Sequence, residues 1–328
     1  MSTPRSVSPP IAPEPAHAAE FAAALQYYLA LQPRQLPSRY LYDDLGSALF
    51  EAICHLPWYG VTRAESRLLD AHGAEIIARV DGLSRVAELG SGSGDKLRRL
   101  LDARETIAPI DVHLVDVSAS ALDASTRALE SADGVTVIRH RARYEAGLDE
   151  ALARRAGERR TLVLFLGSNI GNFDPPGAAA LLRGIRSSLD DGDALLLGAD
   201  VVKPVRDLLL AYDDPLGVTA AFNRNLLVRI NRELDANFDL DAFAHRAVWN
   251  APASRIEMHL VSRRRQTVSI PPAMLDLTLD EGEAIWTESS YKYTPRTVRD
   301  LLATADFAVA AQWIDAPEPF VLTLAVAA

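Results

Sequence analysis

Short apolar runs alternate with longer amphipathic segments across the first two thirds of the chain. The runs are rich in Val, Leu and Ile and too short for helices, so they predict strands, whereas the longer segments repeat apolar residues at the helical period. The predicted strands cover residues 85–89, 112–117, 135–140, 161–166 and 194–197. The predicted helices between them cover residues 95–103, 120–130, 145–155 and 177–189. Short strands separated by helices predict a parallel sheet with both faces covered.

The pattern differs on either side of this alternation. Residues 1–16 are rich in Pro, Ser and Ala and have no hydrophobic period, which predicts a disordered leader. Helical periods follow over residues 21–31 and 46–55. Residues from about 202 to 293 combine helices rich in Asn, Asp and Arg with a strand-like run over 255–270. We interpret this region as an insertion that packs over the carboxyl edge of the sheet.

The last part of the chain returns to the pattern of the sheet. A helix is predicted over residues 296–305, and two strands over 308–314 and 320–326 would close the sheet as an antiparallel pair. We therefore predict an α/β fold with two domains. They are a Rossmann-like domain formed by residues 61–201 and 293–328, and a smaller α+β domain that binds substrate, formed by residues 17–60 and 202–292.

The composition limits the classes of function that fit the chain. Its 328 residues are 48% hydrophobic, which is enough for a substantial core. A net charge of −10 opposes nucleic acid binding, because a polyphosphate would meet an unfavourable overall field. The single cysteine, Cys54, excludes an intrachain disulfide, and the seven histidines have no close ligand spacing, so we assign no metal. Without a spanning apolar run or a signal-peptide pattern, we expect no membrane association and a cytoplasmic location.

A glycine-rich turn is the strongest local motif. Residues 88–94 read Glu-Leu-Gly-Ser-Gly-Ser-Gly, leaving a predicted strand and entering a predicted helix. Glycines let the backbone bend sharply and approach a ligand beyond the strand ends of an open α/β sheet. Asp116 ends the next strand, where its carboxylate can accept hydrogen bonds from both hydroxyls of a ribose. A dinucleotide dehydrogenase would place this acid similarly, but the Gly-x-Gly-x-Gly spacing is typical of methyltransferases that use S-adenosylmethionine.

A proline-rich motif points to a different substrate class, nucleic acid, but it is weaker evidence than the glycine turn. Residues 174–177 read Asp-Pro-Pro-Gly, which is similar to the Asp-Pro-Pro-aromatic motif of enzymes that methylate amino groups of nucleic acids. Gly177 stands where the base-stacking aromatic residue should be. Together with the acidic net charge, this makes DNA or RNA an unfavourable substrate, and the two prolines are better explained as the start of a helix.

Several longer segments resemble one family. They are residues 42–47 (Tyr-Asp-Asp-Leu-Gly-Ser), 56–59 (Leu-Pro-Trp-Tyr) followed by Thr62-Arg63, 165–172 (Phe-Leu-Gly-Ser-Asn-Ile-Gly-Asn), 211–214 (Ala-Tyr-Asp-Asp), 221–225 (Ala-Phe-Asn-Arg-Asn), 256–258 (Ile-Glu-Met) and 287–292 (Thr-Glu-Ser-Ser-Tyr-Lys). With the glycine turn, they resemble the histidine-specific α-N-methyltransferases of ergothioneine biosynthesis, from about residue 36 to the C-terminus. That family converts histidine to its trimethyl betaine, hercynine, and releases S-adenosylhomocysteine. The resemblance implies a class I methyltransferase sheet.

The resemblance also implies roles for individual residues. The residues that would hold S-adenosylmethionine are Tyr42, Gly90, Ser91, Gly92, Lys96, Asp116 and Tyr144. The catalytic residues, which would surround the α-amino and α-carboxylate groups, are Tyr59, Asn172 and Tyr212. The residues that would line the side-chain pocket or approach the imidazole are Gly167, Asn169, Met258, Glu288 and Ser290. Retention of Glu288 and Ser290 favours histidine over an indole or a phenol.

These roles imply a mechanism and expose one departure. Tyr59 and Asn172 would orient the amino nitrogen through hydrogen bonds that loosen as methyl groups accumulate, permitting up to three transfers. Glu288 would bind the imidazole N–H and set its tautomer.

Many relatives carry Asp-Phe where this chain has Arg143-Tyr144, and an arginine cannot accept a hydrogen bond from the adenine amino group. Either a backbone carbonyl serves the adenine, or the loop is shifted.

Each site residue also has a purely structural alternative. The three tyrosines would ordinarily be amphipathic surface or core residues. Met258 would fill the core, Asn172 would cap the following helix, and Lys96 would be a solvated lysine of the first helical turn.

Alternatives to histidine methylation remain open from the sequence. They are an N-methyltransferase of the same fold acting on another amino acid or amine such as tryptophan, a noncatalytic amino-acid-binding relative, and a nicotinamide-dependent oxidoreductase. The number of methyl groups added and the pathway that uses the product are not specified by the residues. We expect a small-molecule substrate and a monomer, because no apolar seam is visible along the chain.

Overall fold

The structure is a computed structural model that describes residues 15–153 and 160–328. Within these residues the helices are α1 (Pro15–Ala30), α2 (Asp44–Cys54), α3 (Val61–Ala78), α4 (Asp95–Asp102), α5 (Ala119–Leu129), α6 (Tyr144–Leu152), α7 (Pro175–Ser188), α8 (Val205–Tyr212), α9 (Val218–Leu234) and α10 (Pro295–Ala303). The strands are β1 (Leu83–Leu89), β2 (Ile110–Asp116), β3 (Val135–Arg141), β4 (Arg160–Phe165), β5 (Ala194–Asp200), β6 (Phe243–Asn250), β7 (Arg255–Ser262), β8 (Gln266–Ile270), β9 (Leu275–Leu279), β10 (Ala284–Tyr291), β11 (Phe307–Asp315) and β12 (Phe320–Ala327).

A seven-stranded sheet has the order β11-β12-β5-β4-β1-β2-β3. Its first five strands along the chain pair in parallel, and β12 is antiparallel to both β5 and β11. The predicted α/β fold and the closing antiparallel pair are therefore confirmed. Because β1 lies at the centre of the five parallel strands and its neighbours β2 and β4 run the same way, the residues that follow these three strands gather at one edge.

The two faces of the sheet bury separate hydrophobic clusters. On β4, Leu162 and Leu164 belong to one cluster, while Val163 and Phe165 belong to the other. Successive side chains of a strand point to opposite faces, so a run that is apolar at every position must be covered on both sides. All seven residues of β5 are buried, which fits its place inside the sheet.

A second region consists of a three-stranded antiparallel sheet, β10-β7-β6, the β8–β9 hairpin and the helices α1, α2, α8 and α9. Its elements fall within the predicted substrate-binding segments, residues 17–60 and 202–292, apart from the start of α1. Phe222 and Ile256 of this region share a hydrophobic cluster with Leu164 of the large sheet. The core is therefore continuous, and division into two folding domains stays a prediction.

Some predicted boundaries are wrong. Helix α1 begins at Pro15, inside the predicted disordered leader, and residues 1–14 lie outside the described residues. Helix α6 ends at Leu152, and the end of the predicted helix 145–155 falls partly outside the described residues. The predicted strand-like run 255–270 is two strands, β7 and β8, separated by a turn.

Strands β6, β9 and β10 have no counterpart in the prediction. They carry many polar residues, as in the Trp-Thr-Glu-Ser-Ser segment of β10, so they lack the apolar run that marks the strands of the large sheet. Across the described ranges, no helix is long and apolar enough to cross a membrane.

Candidate active site

The glycine turn after β1 has the backbone geometry that its composition predicts. Gly90, Gly92 and Gly94 have φ angles of 81°, 50° and 81°, in the left-handed region that side chains disfavour. A Cβ atom on Gly94 would lie 2.7 Å from the backbone of Ser125, so this glycine also lets the turn pack closely against α5. No described atom lies within 4 Å of the Cβ position at Gly92, which leaves open space above the turn.

Asp116 ends β2 beside this turn. One carboxylate oxygen accepts a hydrogen bond of 2.9 Å from the Ser118 amide, and the other accepts one of 3.4 Å from the Gly92 amide. Burial raises the pKa of Asp116, and these backbone amides oppose the shift. The carboxylate is therefore held in a fixed place at the strand end, where it can accept hydrogen bonds from a ribose.

An unpaired carboxyl oxygen supports a ligand at this edge of the sheet. Glu88, the penultimate residue of β1, is buried, and its Oε2 has no hydrogen-bond partner among the described residues. Burial raises the pKa of Glu88 to about 8, although nearby Lys96 acts in the opposite direction. A buried acceptor needs a partner. With the open glycine turn and Asp116, this oxygen fits the hydroxyl and ammonium groups of S-adenosylmethionine.

Lys96 and Glu65 connect the cofactor turn to the neighbouring pocket. Lys96 Nζ lies 2.6 Å from Glu65 Oε2, and both Glu65 oxygens accept from the Gly167 amide at 3.0 and 2.9 Å. Burial lowers the pKa of Lys96, but Glu65 outweighs this effect and holds it above the usual value. Lys96 is thus a paired residue of the site region and not a solvated lysine.

Glu65 had no predicted role, although the sequence contains a signal for it. It lies on the face of α3 that also carries Val61, Leu68 and Leu69, and all of these residues are buried. A carboxylate on the apolar face of a helix is rarely buried unless it is paired. The partners of Glu65 could not be identified from α3 alone, because Lys96 lies on α4 and Gly167 follows β4.

One pocket contains every residue predicted to bind the amino acid. Its lining residues are Tyr42, Phe50, Ile53, Tyr59, Gly167, Ser168, Asn169, Asn172, Ala211, Tyr212, Thr219, Phe222, Met258, Glu288 and Ser290. Tyr42, which was assigned to the cofactor, lines it as well. The pocket reaches the glycine turn, because a Cβ atom on Gly90 would lie 2.9 Å from Asn169 Nδ2 and 3.4 Å from the Tyr144 hydroxyl. The residues assigned to methyl donor and acceptor therefore meet at Gly90.

The segment after β4 forms one wall of the pocket. Gly167 and Ser168 have φ angles of 73° and 60°, and a 3-10 turn follows over Asn169–Asn172. The helix cap is Asp174, whose carboxylate accepts from the Gly177 amide at 2.8 Å. Asn172 is therefore not the cap of α7, and its side chain belongs to the pocket.

A β-bulge directs polar side chains of β10 into the pocket. The pairing of β10 with β7 shifts register between Trp286 and Glu288, after which Glu288 lies opposite Met258. Residues opposite each other share one face of a sheet, so both line the pocket. Burial raises the pKa of Glu288 to about 7, and Lys292 opposes this shift.

Aromatic rings form most of the remaining wall. The rings of Tyr59 and Tyr212 lie 6.3 Å apart at 71°, and those of Tyr42 and Phe222 lie 5.5 Å apart at 64°. Burial raises the pKa of Tyr59 well above its usual value. Its phenol therefore stays protonated at neutral pH and can donate a hydrogen bond. Aromatic faces also attract cations, which suits an amine that gains methyl groups.

Behind this wall lies a buried charged cluster that had no predicted role. Lys292 Nζ contacts the Tyr212 hydroxyl at 2.8 Å, Ser290 Oγ at 2.9 Å and Asp200 Oδ2 at 2.9 Å. The second Asp200 oxygen lies 2.7 Å from Lys203 Nζ. Lys292 belongs to a segment that carried the family resemblance, whereas Asp200 ends an otherwise apolar strand.

Arg143, the departure from the family pattern, points to another part of the chain. It precedes α6 and forms an ion pair with Glu20 of α1, and both side chains are largely exposed. The next residue, Tyr144, reaches Gly90 as expected for a cofactor residue. The arginine is thus directed towards α1, and the position of Tyr144 agrees with the implied alignment.

Comparisons with known proteins agree with this geometry. A family described as histidine-specific methyltransferase, SAM-dependent, matches residues 21–327. A histidine N-alpha-methyltransferase of Mycobacterium tuberculosis is 42% identical over 314 residues, which cover 94% of this chain and 96% of that protein. One of Mycolicibacterium smegmatis is 41% identical over 300 residues, 91% of this chain and 92% of that protein. A 4-dimethylallyltryptophan N-methyltransferase of Epichloe festucae var. lolii is 29% identical over 314 residues, which cover 88% of this chain and 89% of that protein. The chain therefore belongs to the S-adenosylmethionine-dependent, histidine-specific methyltransferase family.

Proposed function

We propose that this chain methylates the α-amino group of L-histidine, up to three times, to give hercynine for ergothioneine biosynthesis. The observation that carries the proposal is the pocket itself. It joins the carboxyl of Glu288 and the hydroxyl of Ser290 with Tyr59 and Asn172, and it adjoins the glycine turn at Gly90. An imidazole needs both a hydrogen-bond acceptor and a donor, and a carboxyl beside a hydroxyl offers both.

The proposed domain roles follow the two regions of the fold. Residues 61–201 and 293–328 would bind S-adenosylmethionine through Tyr144, Asp116 and the glycine turn, with Tyr42 and Lys96 at the boundary. Residues 17–60 and 202–292 would supply most of the amino acid pocket. We expect a monomeric enzyme in the cytoplasm, on the sequence arguments given above.

When bound, S-adenosylmethionine would supply an electrophilic methyl group: the neutral amine bonds to the methyl carbon, the bond from sulfur to that carbon breaks, and S-adenosylhomocysteine leaves, and the nitrogen must lose a proton before each further transfer. The protein must hold the nitrogen lone pair in line with that methyl group, and positioning of this kind lowers a barrier by several kcal/mol. Tyr59, Asn172 and Tyr212 would perform the positioning. Tyr59 and Asn172 hold the nitrogen through neutral hydrogen bonds, which weaken as methyl groups replace its hydrogens.

Glu288 and Met258 would select the side chain. A carboxyl with a pKa near 7 can accept a hydrogen bond from the imidazole N–H, and desolvation strengthens this contact. Met258 contributes the shape of the pocket opposite Glu288. Ser290 argues against the alternative substrate, a tryptophan-like amine, because an indole offers an N–H donor for Glu288 but no ring acceptor for Ser290.

The proposal is tested by incubating purified protein with S-adenosylmethionine and an equimolar mixture of the common amino acids, followed by mass spectrometry. We expect histidine products heavier by one, two and three methyl groups, converging on the trimethylated form. Reactions without S-adenosylmethionine serve as the control. Methylation of another amino acid would overturn the substrate assignment, and absence of any methylated product would favour an unusual amine or a noncatalytic binding protein.

A further inference from the structure

Lys292 is a buried charged residue next to the proposed pocket. Its side chain has no exposed surface, and its three N–H donors have three acceptors, Asp200, Tyr212 and Ser290. Tyr212 and Ser290 line the pocket, while Lys292 lies behind them. The hydrogen bonds of the ammonium therefore reach a bound molecule through these two hydroxyl groups.

The charge of this cluster is not neutralised. The Asp200 carboxylate lies between two ammonium groups, with Oδ2 2.9 Å from Lys292 Nζ and Oδ1 2.7 Å from Lys203 Nζ. One negative charge and two positive charges leave a net charge of +1. Burial lowers the pKa of Lys292, but Asp200 and Tyr212 outweigh this effect and raise it above the usual value. The ammonium therefore persists at neutral pH.

The hydrogen bonds of the hydroxyl pair determine whether it can donate or accept a further hydrogen bond. Tyr212 Oη and Ser290 Oγ lie 2.7 Å apart, so one hydroxyl proton lies between them. An ammonium can only donate, so Lys292 occupies a lone pair on each oxygen. One of the two oxygens accepts from both Lys292 and the other hydroxyl, so both of its lone pairs are occupied. Its own proton therefore points away from Lys292 and from the other hydroxyl. Both residues line the pocket, so that proton is available to a bound molecule.

We propose that Lys292 is a positioning residue, which makes the Tyr212–Ser290 hydroxyl pair a hydrogen-bond donor and so selects amino acids that present an acceptor to it. The inference rests on the proposed function and deepens it. The acceptor is a carboxylate oxygen or the unprotonated ring nitrogen of a neutral imidazole. A donor group placed at the oxygen that accepts from both neighbours, such as a ring N–H, would find no free lone pair there, which is unfavourable.

Two methionine variants separate this role from a general effect of charge. Lys292→Met removes the donor to both hydroxyls and leaves Asp200 paired with Lys203. Lys203→Met removes the same charge and leaves Asp200 paired with Lys292. Both variants lose one positive charge, but only Lys292→Met loses the ammonium behind Tyr212 and Ser290. Affinity for S-adenosylhomocysteine, measured by calorimetry, checks that each variant is folded.

The substrates distinguish the two sources of the acceptor. Histamine lacks the carboxylate, and two pyrrolylalanines replace one or the other ring nitrogen by CH. In the unmodified enzyme we expect kcat/KM for histidine to exceed that for the analogue without the relevant acceptor by about 100-fold, as for a buried donor left unpaired. In Lys292→Met the value for histidine should fall by about 30- to 100-fold while that for the analogue changes less than threefold. In Lys203→Met both should change less than threefold.

The outcomes separate this inference from the proposed function. Collapse of the preference against histamine identifies the carboxylate as the acceptor, and collapse against a pyrrolylalanine identifies the ring nitrogen. Equal losses for histidine and all analogues would mean a merely structural role and would overturn the inference, as would equal behaviour of the two variants. If Lys292→Met does not fold, equal binding of histidine and all analogues to the unmodified enzyme overturns it. Failure of the unmodified enzyme to methylate histidine rejects the proposed function, and the inference with it.

Discussion

The two binding regions that meet at Gly90 are built in opposite ways. Most of the proposed cofactor region comes from one continuous stretch, β1, the glycine turn, α4 and β2, to which Tyr42 and Tyr144 are added, and it depends largely on backbone geometry. The amino acid pocket collects side chains from α2, the segment before α3, the turn after β4, α8, α9, β7 and β10. The proposed methyl-donor site is therefore largely local in the sequence, whereas the proposed acceptor pocket is assembled by tertiary structure.

The two regions also differ in how their buried charged groups are partnered. At the cofactor edge, Glu88 presents a buried oxygen without a partner among the described residues, which leaves it available to a ligand. Behind the pocket, the single Asp200 carboxylate is paired with both Lys292 and Lys203. Variants of the first region should thus affect cofactor affinity, and variants of the second should affect substrate selection.

The largest expected effect is that of Asp116→Ala on the cofactor region. The change removes a fixed carboxylate that would accept hydrogen bonds from both ribose hydroxyls. Each such charge-assisted bond contributes about 1.5–3 kcal/mol, so affinity for S-adenosylhomocysteine should fall by at least about 100-fold. Calorimetric titration measures it. Asp111→Ala, at the opposite end of β2, is the matched control and should stay within about twofold, since it lies far from the glycine turn. Similar losses in both variants would contradict the assignment.

Tyr212→Phe tests whether the pocket is separable from the cofactor region. Removing the hydroxyl deletes a proposed substrate contact and leaves Lys292 with an unused donor, so kcat/KM for histidine should fall by about 30- to 100-fold. Affinity for S-adenosylhomocysteine should change by less than about twofold. Tyr291→Phe is the control, because its hydroxyl accepts from Arg255 and does not line the pocket. A large loss of cofactor affinity in Tyr212→Phe would show that the two regions are not separable.

Glu288→Ala tests the selection of the side chain. Without the carboxyl, the imidazole N–H has no acceptor, and the preference for histidine over phenylalanine or tryptophan should fall by about 10- to 30-fold. Competition assays with paired amino acids measure this ratio. Glu257→Ala is the matched control, since Glu257 lies on the neighbouring strand β7 and its carboxylate accepts from Arg255 and Asn250. An unchanged preference in Glu288→Ala would rule out its role.

The same contrast explains how much the sequence could predict. The inner strands β4 and β5 of the large sheet are short and apolar because they are buried on both faces, so their pattern alone identifies them. Asp116 could be joined to the glycine turn because adjacent parallel strands end at one edge. Strand β10 could not be found in this way, because its bulge interrupts the alternation and places Thr287 and Glu288 next to each other as buried polar residues.

Pairs of distant residues were beyond the reach of patterns. The pocket residues were found through the resemblance to a family, and neither helical nor strand periodicity would have grouped Tyr59 with Glu288. Glu65 with Lys96, and Asp200 with Lys292, are ion pairs between separate elements. A charged residue in an otherwise apolar element signals that a partner exists, but only the packing of the elements identifies that partner.

The smallest expected effect concerns the stability cost of the pocket, measured with Glu288→Gln. Burial raises the pKa of Glu288 to about 7, so the folded state retains a proton that the unfolded chain releases near its ordinary value. The favourable contribution of this proton is complete below about pH 4.5 and is lost as the pH rises to about 7. Above that range the wild-type protein carries a buried charge, whereas glutamine remains neutral.

The variant and the wild-type protein should therefore have similar free energies of unfolding at pH 5, and the variant should be more stable by about 1–2 kcal/mol at pH 6.5. Urea denaturation at both pH values measures the difference, with the low-pH pair as the internal control. A variant that is less stable than the wild type by the same amount at both pH values would mean that Glu288 acts through packing and not through its charge. The predicted result would instead mean that the pocket holds a carboxyl that destabilises the fold at neutral pH, as expected for a group retained to bind a substrate.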